Sequence, residues 1–274
     1  MSKTIIITGA SRGFGRIWAE ALLKRGDNVV ATSRNVNSLK GLADRYGKQF
    51  LALELDVTDK AATEAAVDQA RRHFGTIDVL INNAGYSVFG AIEENSEQEA
   101  RNLFEANVFG TLWMTQAVLP VFRAQGKGHV VQVSSVMGIN TLPTMGLYSA
   151  TKFAVEGFSE ALQAEVKDFG IHVTLIEPNS FQTDFFGSSA TRSAALPAYA
   201  KVNADFLAGD GLKPENVGDP QATVAALLGV VDSEQPPLRL FLGKLCLPWT
   251  QYTYGEKLAA WDKLKEVSAQ AHGK

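Results

Sequence analysis

The sequence holds a single cysteine, Cys246, among 274 residues. That excludes an intrachain disulfide and a metal site built on clustered thiolates, so no metal is expected. There is no excess of positive charge: the formal net charge is −3, which leaves no electrostatic footprint for nucleic acid. No apolar run is long enough to span a bilayer, and no membrane partner is expected. Met1-Ser2-Lys3 runs straight into a strand-like segment, so no signal peptide is expected and a cytoplasmic home is favoured. Internal repeats, low-complexity stretches and interdomain linkers are also missing.

Hydrophobic residues make up 46% of the chain and charged ones 20%, a balance that lets it bury a sizeable core. Strand-like runs alternate with helical ones from end to end. This predicts an α/β fold: one domain over residues 1–274, with a Rossmann-type doubly wound parallel sheet of about seven strands and helices on both faces. Lys3 to Thr8 (KTIIIT) reads as a central strand buried on both sides. It stops at Gly9-Ala10-Ser11-Arg12-Gly13-Phe14-Gly15, after which Ile17, Trp18, Ala21 and Leu22 take helical spacing. Strand, glycine turn and helix form the context of a dinucleotide-binding fingerprint. Glycines let the backbone approach a pyrophosphate, and the helix N-terminus favours its charge.

A second strand, Asn28 to Thr32, ends without the carboxylate that would accept a free ribose 2′-hydroxyl. Ser33 and Arg34 stand there instead, with Arg12 nearby in the glycine loop. Two guanidinium groups and a hydroxyl suit a 2′-phosphate. Further on, His129 to Val133 reads as a strand that ends at Ser134-Ser135. Tyr148 then opens a helix whose apolar positions are Phe153, Phe158, Leu162 and Val166, and Lys152 lies four residues after Tyr148 on the same face. A free phenol, with pKa near 10, exchanges protons poorly at neutral pH. An ammonium one turn away is expected to lower that pKa, while the Ser135 hydroxyl holds a carbonyl or alkoxide oxygen.

Tyr148-x-x-x-Lys152 with Ser135 thirteen residues earlier, Thr8-Gly9-x-x-x-Gly13-x-Gly15 and Asn82-Asn83-Ala84-Gly85 together resemble the short-chain dehydrogenase/reductase family, core type. The resemblance runs over roughly residues 3 to 243. It implies NADPH-dependent reduction of a ketone or aldehyde, or the reverse reaction on an alcohol. NADP(H) would be held by Gly9, Ser11, Arg12, Gly13, Phe14, Gly15, Ser33 and Arg34, with Asp56 and Val57 at the adenine. Asn83, Ala84 and Gly85 would border the cofactor, and Pro178 and Thr183 would meet its nicotinamide. Tyr148 and Lys152 would serve both the chemistry and the nicotinamide ribose, and Asn107 would hold a water that relays protons to Lys152. Asn179 departs from the glycine usual in the family and adds a polar side chain near the nicotinamide. If that position takes a positive φ, asparagine is the next-best residue for it.

The same resemblance implies a homodimer or homotetramer, joined through the helices that carry Asn107 and Tyr148. Phe109, Trp113, Phe158 and Leu162 would supply the apolar contact. Ser96 and Glu99 form a capping box at the start of the helix expected to run to about Ala124. Tyr86, Val88 and Phe89, on a loop, either line a substrate pocket or pack locally. A segment of about 185–214, with Phe185, Phe186, Leu196, Tyr199, Phe206 and Leu207, suits a cover over a largely apolar small-molecule substrate. The extension of about 244–274 would cover the pocket or meet another subunit. The rival reading is a non-catalytic NADP(H)-sensing protein, against which Ser135, Tyr148 and Lys152 all stand intact.

Overall fold

The computed structural model describes residues 2–187 and 190–273; Ser188 and Ser189, inside the expected covering segment, lie outside the described residues. Seven strands form one sheet: β1 (Thr4–Ile7), β2 (Asn28–Ser33), β3 (Phe50–Glu54), β4 (Val79–Asn82), β6 (Gly128–Val133), β7 (Ile171–Pro178) and β9 (Arg239–Leu242). Their spatial order is β3-β2-β1-β4-β6-β7-β9, and every neighbouring pair is parallel. The chain builds outward from β1 to β3, then returns to place β4 on the other side of β1. The strand order reverses there, and a crevice opens at the carboxyl ends of β1 and β4.

Side-chain alternation explains why the strands are apolar throughout. Ile5, Ile7, Val29 and Ala31 face one layer, packing with Trp18 and Leu22 of α1 (Gly13–Arg25) and Leu227 and Val230 of α8 (Thr223–Asp232). Ile6, Val30 and Val130 face the other, against α3 (Lys60–Phe74), α5 (Gly110–Gln125) and α6 (Gly146–Val166). The buried Trp18 indole is satisfied by Thr223 Oγ1 at 2.8 Å. The shorter helices α2 (Lys40–Tyr46), α4 (Glu97–Phe104), α7 (Ala200–Leu207) and α10 (Lys265–Gln270) and the longer α9 (Cys246–Lys263) lie around this core. Ser96 and Glu99 make the reciprocal capping box at α4, as expected.

Three sequence expectations change, and the C-terminal extension proves helical from its start. The long helix after Ser96 is broken by a π turn, Glu105–Phe109, which places Asn107 where the helical ladder shifts register. The buried face of α6 carries Tyr148, Lys152, Val155, Glu156, Ser159, Leu162 and Val166, so Leu162 belongs to the core and Phe153 points outward at 38% exposure. Leu162 is therefore not contact surface for a second subunit. Tyr86–Phe89 is not a simple loop: β5 (Ser87–Phe89) pairs in parallel with β8 (Ala190–Arg192) in a separate two-stranded sheet. Finally, α9 begins at Cys246 with Pro248 in its first turn, where a missing N–H costs no helical bond.

His129 on β6 is buried, and its Nε2 lies 2.9 Å from Thr174 Oγ1. That hydroxyl gives its own proton to Pro237 O at 2.7 Å, so it accepts from a neutral imidazole protonated on Nε2. Burial, helped by the charges of His172 and Lys3, lowers the His129 pKa from 6.5 to about 3. The unfolded chain then binds a proton that the folded one refuses as pH falls from 6.5 toward about 3, and stability drops across that window. His129→Gln, compared with the parent by urea unfolding at several pH values, should flatten this loss while carboxylates are still ionised. An unchanged slope would show that His129 is not buried neutral.

Candidate active site

The crevice at the β1–β4 switch is a cleft of about 1620 Å³, lined by the ends of β1, β2, β4, β6 and β7, the start of α6 and the segment after β7. It exceeds the roughly 300–1,000 Å³ that one drug-sized ligand fills, so it has room for two molecules side by side.

Its floor rests on a small hydrogen-bonded knot. Thr8 Oγ1 accepts the backbone N–H groups of Asn83 and Ala84, both at 3.0 Å. Asn83 Nδ2 donates to Thr8 O at 2.9 Å and to Gly9 O at 3.1 Å. The glycine loop and the end of β4 are thereby locked together. Gly9 has φ +67, and a Cβ there would come within 2.8 Å of Ala84 Cα. Gly15 does not line the cleft; a Cβ on it would lie 2.5 Å from Gly9 O and 2.6 Å from Asn83 Nδ2. Its role is close packing of helix on turn. Helix α1 starts at Gly13 with no side-chain cap and no acidic residue in its first turn. Such an N-terminus suits an anion.

Gly9, Ser11, Arg12, Gly13, Phe14, Ser33, Arg34, Asp56, Val57, Asn83, Ala84 and Gly85 all line this cleft, as do Pro178 and Thr183. Phe14 is also a packing residue: its ring stacks on Trp18 with centroids 4.9 Å apart. Ser33 Oγ accepts from Asn35 N at 3.2 Å and from Ser38 Oγ at 3.3 Å, so the turn after β2 is preformed. Asp56 accepts from Thr58 N at 3.0 Å and Thr58 Oγ1 at 2.8 Å, while Asp59 caps α3.

Ser135, Tyr148 and Lys152 come together at the end of β6. The Tyr148 hydroxyl faces Ser135, whose Oγ accepts from Met137 N at 3.1 Å. Lys152 Nζ donates to Val133 O at 2.8 Å and stands 5.8 Å from the Tyr148 ring centroid. Both side chains are buried. Burial pushes the Tyr148 pKa well above the ordinary phenol value, and the neighbouring Ser135 only partly opposes it. The lowering expected from Lys152 is thus not seen in this arrangement. The same burial draws Lys152 down from 10.5 to about 8, against a raising charge on Glu156.

Asn107 lies behind this group and does not line the cleft. Its Oδ1 accepts from Tyr86 N at 3.1 Å, and its Nδ2 donates to Tyr86 O at 2.9 Å and Thr151 Oγ1 at 3.1 Å. Both amide hydrogens are used, which leaves only acceptor capacity for a water. Asn179 lines the cleft but is not among the residues with positive φ, and its amide donates to Asn216 O at 3.2 Å, beside Gly243. The glycine that usually stands here is therefore not needed for backbone conformation.

Sequence reading named no residue for part of the apolar end of the cleft, although covering the pocket was one of the two roles expected of the extension of about 244–274. Leu142 and Met145 come from the loop between Ser135 and Tyr148, and Leu245, Pro248 and Trp249 from the start of α9. The only signal for the latter was an aromatic residue beside a proline just after the last strand. Phe185 and Phe206 line the cleft as expected, and the Phe185 ring meets Tyr148 edge-on at 5.2 Å.

Residues 3–194 match the family model described as short chain dehydrogenase. The chain is 37% identical over 270 residues to an oxidoreductase (BOA17) of Botryotinia fuckeliana, covering 98% of each. It is 39% identical over 247 residues to a 3-ketodihydrosphingosine reductase of Bacteroides thetaiotaomicron, covering 89% of this chain and 88% of that one. A crystal structure of a short-chain dehydrogenase from Streptomyces avermitilis superposes with a TM-score of 0.91 at 39% identity, over 98% of both chains. With its glycine turn, Asn83 knot and Ser135–Tyr148–Lys152 group on one switch-point crevice, the chain belongs to the short-chain dehydrogenase family and is an oxidoreductase.

Proposed function

We propose that the protein is an NADPH-dependent carbonyl reductase, acting on a largely apolar ketone or aldehyde or, in reverse, on the alcohol. The observation that carries this reading is the Tyr148 hydroxyl facing Ser135, with Lys152 one turn on, at one end of a cleft whose other end is a glycine turn. The residues fit a dinucleotide: Gly9 and Gly13 take positive φ, and the first turn of α1 leaves its N–H groups to a pyrophosphate. When bound, the reduced nicotinamide supplies hydride to the carbonyl carbon.

Ser135 holds the substrate oxygen beside Tyr148, and Tyr148 gives that oxygen its proton. A phenol kept neutral by burial is in the right form to be a donor at any working pH. Lys152, charged below about pH 8, stabilises the phenolate left behind and would hold the nicotinamide ribose of a bound cofactor. Asn107 braces Tyr86 and Thr151 behind Lys152, and its spare acceptor capacity serves the water relay. Met145, Phe185, Phe206 and Trp249 give the substrate end of the cleft its apolar walls. The keto-lipid named for the Bacteroides relative is in keeping with such a pocket.

Tyr148→Phe keeps the ring packing and removes only the proton. It should cut carbonyl-dependent NADPH oxidation by at least about a thousandfold, within the reach of general acid catalysis, with NADPH binding by fluorescence nearly unchanged. Turnover within tenfold of the parent would sink the assigned role. A parent that binds NADPH yet reduces nothing across steroids, aromatic ketones, long-chain keto compounds and sugars would favour a sensor instead.

Cofactor choice is assigned to Arg12, Ser33 and Arg34, which line the cleft where no carboxylate follows β2. A hydrogen bond to a charged group contributes about 1.5–3 kcal/mol, and exposure of both arginines trims this, so NADPH should be favoured over NADH by about tenfold to a hundredfold. Combining Ser33→Asp with Arg34→Ala should swing the ratio of kcat/KM values toward NADH, short of full reversal because Arg12 remains. A double variant with unchanged preference would place the phosphate elsewhere.

The protein is further assigned as a homodimer or homotetramer. Phe109 and Trp113 stack at 5.8 Å on the outer side of the π turn and α5, and Phe109 and Phe153 are each 38% exposed. The far half of α9 adds Leu258 and Trp261, which point outward. Light scattering at micromolar concentration should give a multiple of the 29.5 kDa chain. A strictly monomeric mass would overturn the assignment.

A further inference from the structure

One turn beyond Lys152 on α6, Glu156 enters a buried group outside the cleft. Glu156 is 5% exposed, and Glu177 on β7 is fully buried. Arg239 of β9 stands between them: its Nη1 bonds both Glu156 Oε2 and Glu177 Oε1, the latter at 2.6 Å, while Nη2 reaches the more exposed Glu160 at 2.5 Å. Ser134, at the end of β6, faces Glu156 across Gly138; a Cβ on that glycine would lie 2.7 Å from Ser134 Oγ and 3.1 Å from Glu156 Oε1. Lys152 and Glu160 on α6, Glu177 on β7 and Arg239 on β9 are the charged groups around Glu156.

One guanidinium charge thus meets three carboxyls. Both hydrogens of Nη1 are taken, so Glu156 Oε1 and Glu177 Oε2 are buried oxygens that Arg239 does not serve. Two adjoining ionised carboxyls out of water, sharing one positive charge, are unstable, and one of them takes a proton. Burial raises both, Glu177 to about 7, while Ser134 and Arg239 oppose the rise at Glu156. The ammonium of Lys152 favours charge on Glu156, its neighbour on the same helix face.

Building on the catalytic reading above, we propose that Glu177 carries the proton of this pair, that Glu156 stays ionised, and that Glu156 is a positioning residue which keeps Lys152 charged for the reaction. The roles are then unequal. Glu156→Gln removes the charge that Lys152 feels, whereas Glu177→Gln replaces one neutral donor by another below about pH 7, and above it Glu177 is not among the charges that act on Lys152.

The test is the titration of Lys152, read by NMR of isotope-labelled lysine, beside the alkaline limb of the kcat profile for reduction. In the parent both should lie near pH 8. Glu156→Gln should lower both by about one unit, which at pH 8 cuts the charged fraction and turnover about fivefold, and Glu156→Asp should restore most of the shift. Glu177→Gln should leave the Lys152 titration in place. Equal shifts in the two glutamine variants, or none in either, would overturn the proposal. A moved titration with an unmoved kcat profile would overturn the catalytic part alone, and a parent without turnover would sink the earlier reading while the NMR result still stands. Should Glu156→Gln fail to fold, infrared spectra decide: a protonated glutamic acid band present at about pH 6 in the parent must vanish in Glu177→Gln.

Discussion

The approach of Gly9 to Ala84 is the constraint on which the cleft depends. Parallel strands β1 and β4 end side by side, and their following turns must share a space with no room for a side chain at Gly9. Thr8 and Asn83 convert that proximity into four hydrogen bonds between the two turns. Their partners are backbone groups, which would otherwise be buried without satisfaction at the ends of both strands. One knot therefore closes the backbone accounts of the switch point and sets the floor on which a dinucleotide can lie.

Burial acts in opposite senses along the same cleft. At the glycine end it is incomplete, and the arginines stay in contact with water. At the Tyr148 end it is complete enough to hold a phenol neutral and to weaken an ammonium. A buried phenol stays protonated, and it can act as a donor only if the charge left on it is stabilised as the proton departs. In the reading proposed above, the ammonium draws its support from outside the cleft, from Glu156 one turn further along α6.

The sheet and its motifs were legible because they are local. KTIIIT, NVVAT and the glycine turn carry their structural meaning within a few residues, and Tyr148 and Lys152 share a face by spacing alone. What was not legible came from contacts across the chain. Spacing suggested Phe153 and Leu162 on one face of α6, but the sheet beneath takes the face with Leu162 and leaves Phe153 in water. The π turn at Asn107 coincides with its bonds to Tyr86 and Thr151, which no run of residues announces. The pairing of β5 with β8 joins segments about a hundred residues apart, and neither three-residue strand has a pattern of its own. Asn179 was weighed for backbone conformation, whereas its amide is held by Asn216.

The order of these contacts along the chain bears on how the protein comes into being during synthesis. β1 gains its partner β4 only after some seventy further residues, and β7 waits for β9, which brings Arg239 against the glutamates. Trp249 arrives later still. Parallel pairings of this kind close large loops before any contact rewards them, so they form slowly. A chain emerging from its N-terminus can build the glycine turn early, but the wall around Tyr148 waits for residues beyond β9. The half of the cleft that would hold a nucleotide thus precedes the half that would select what is reduced.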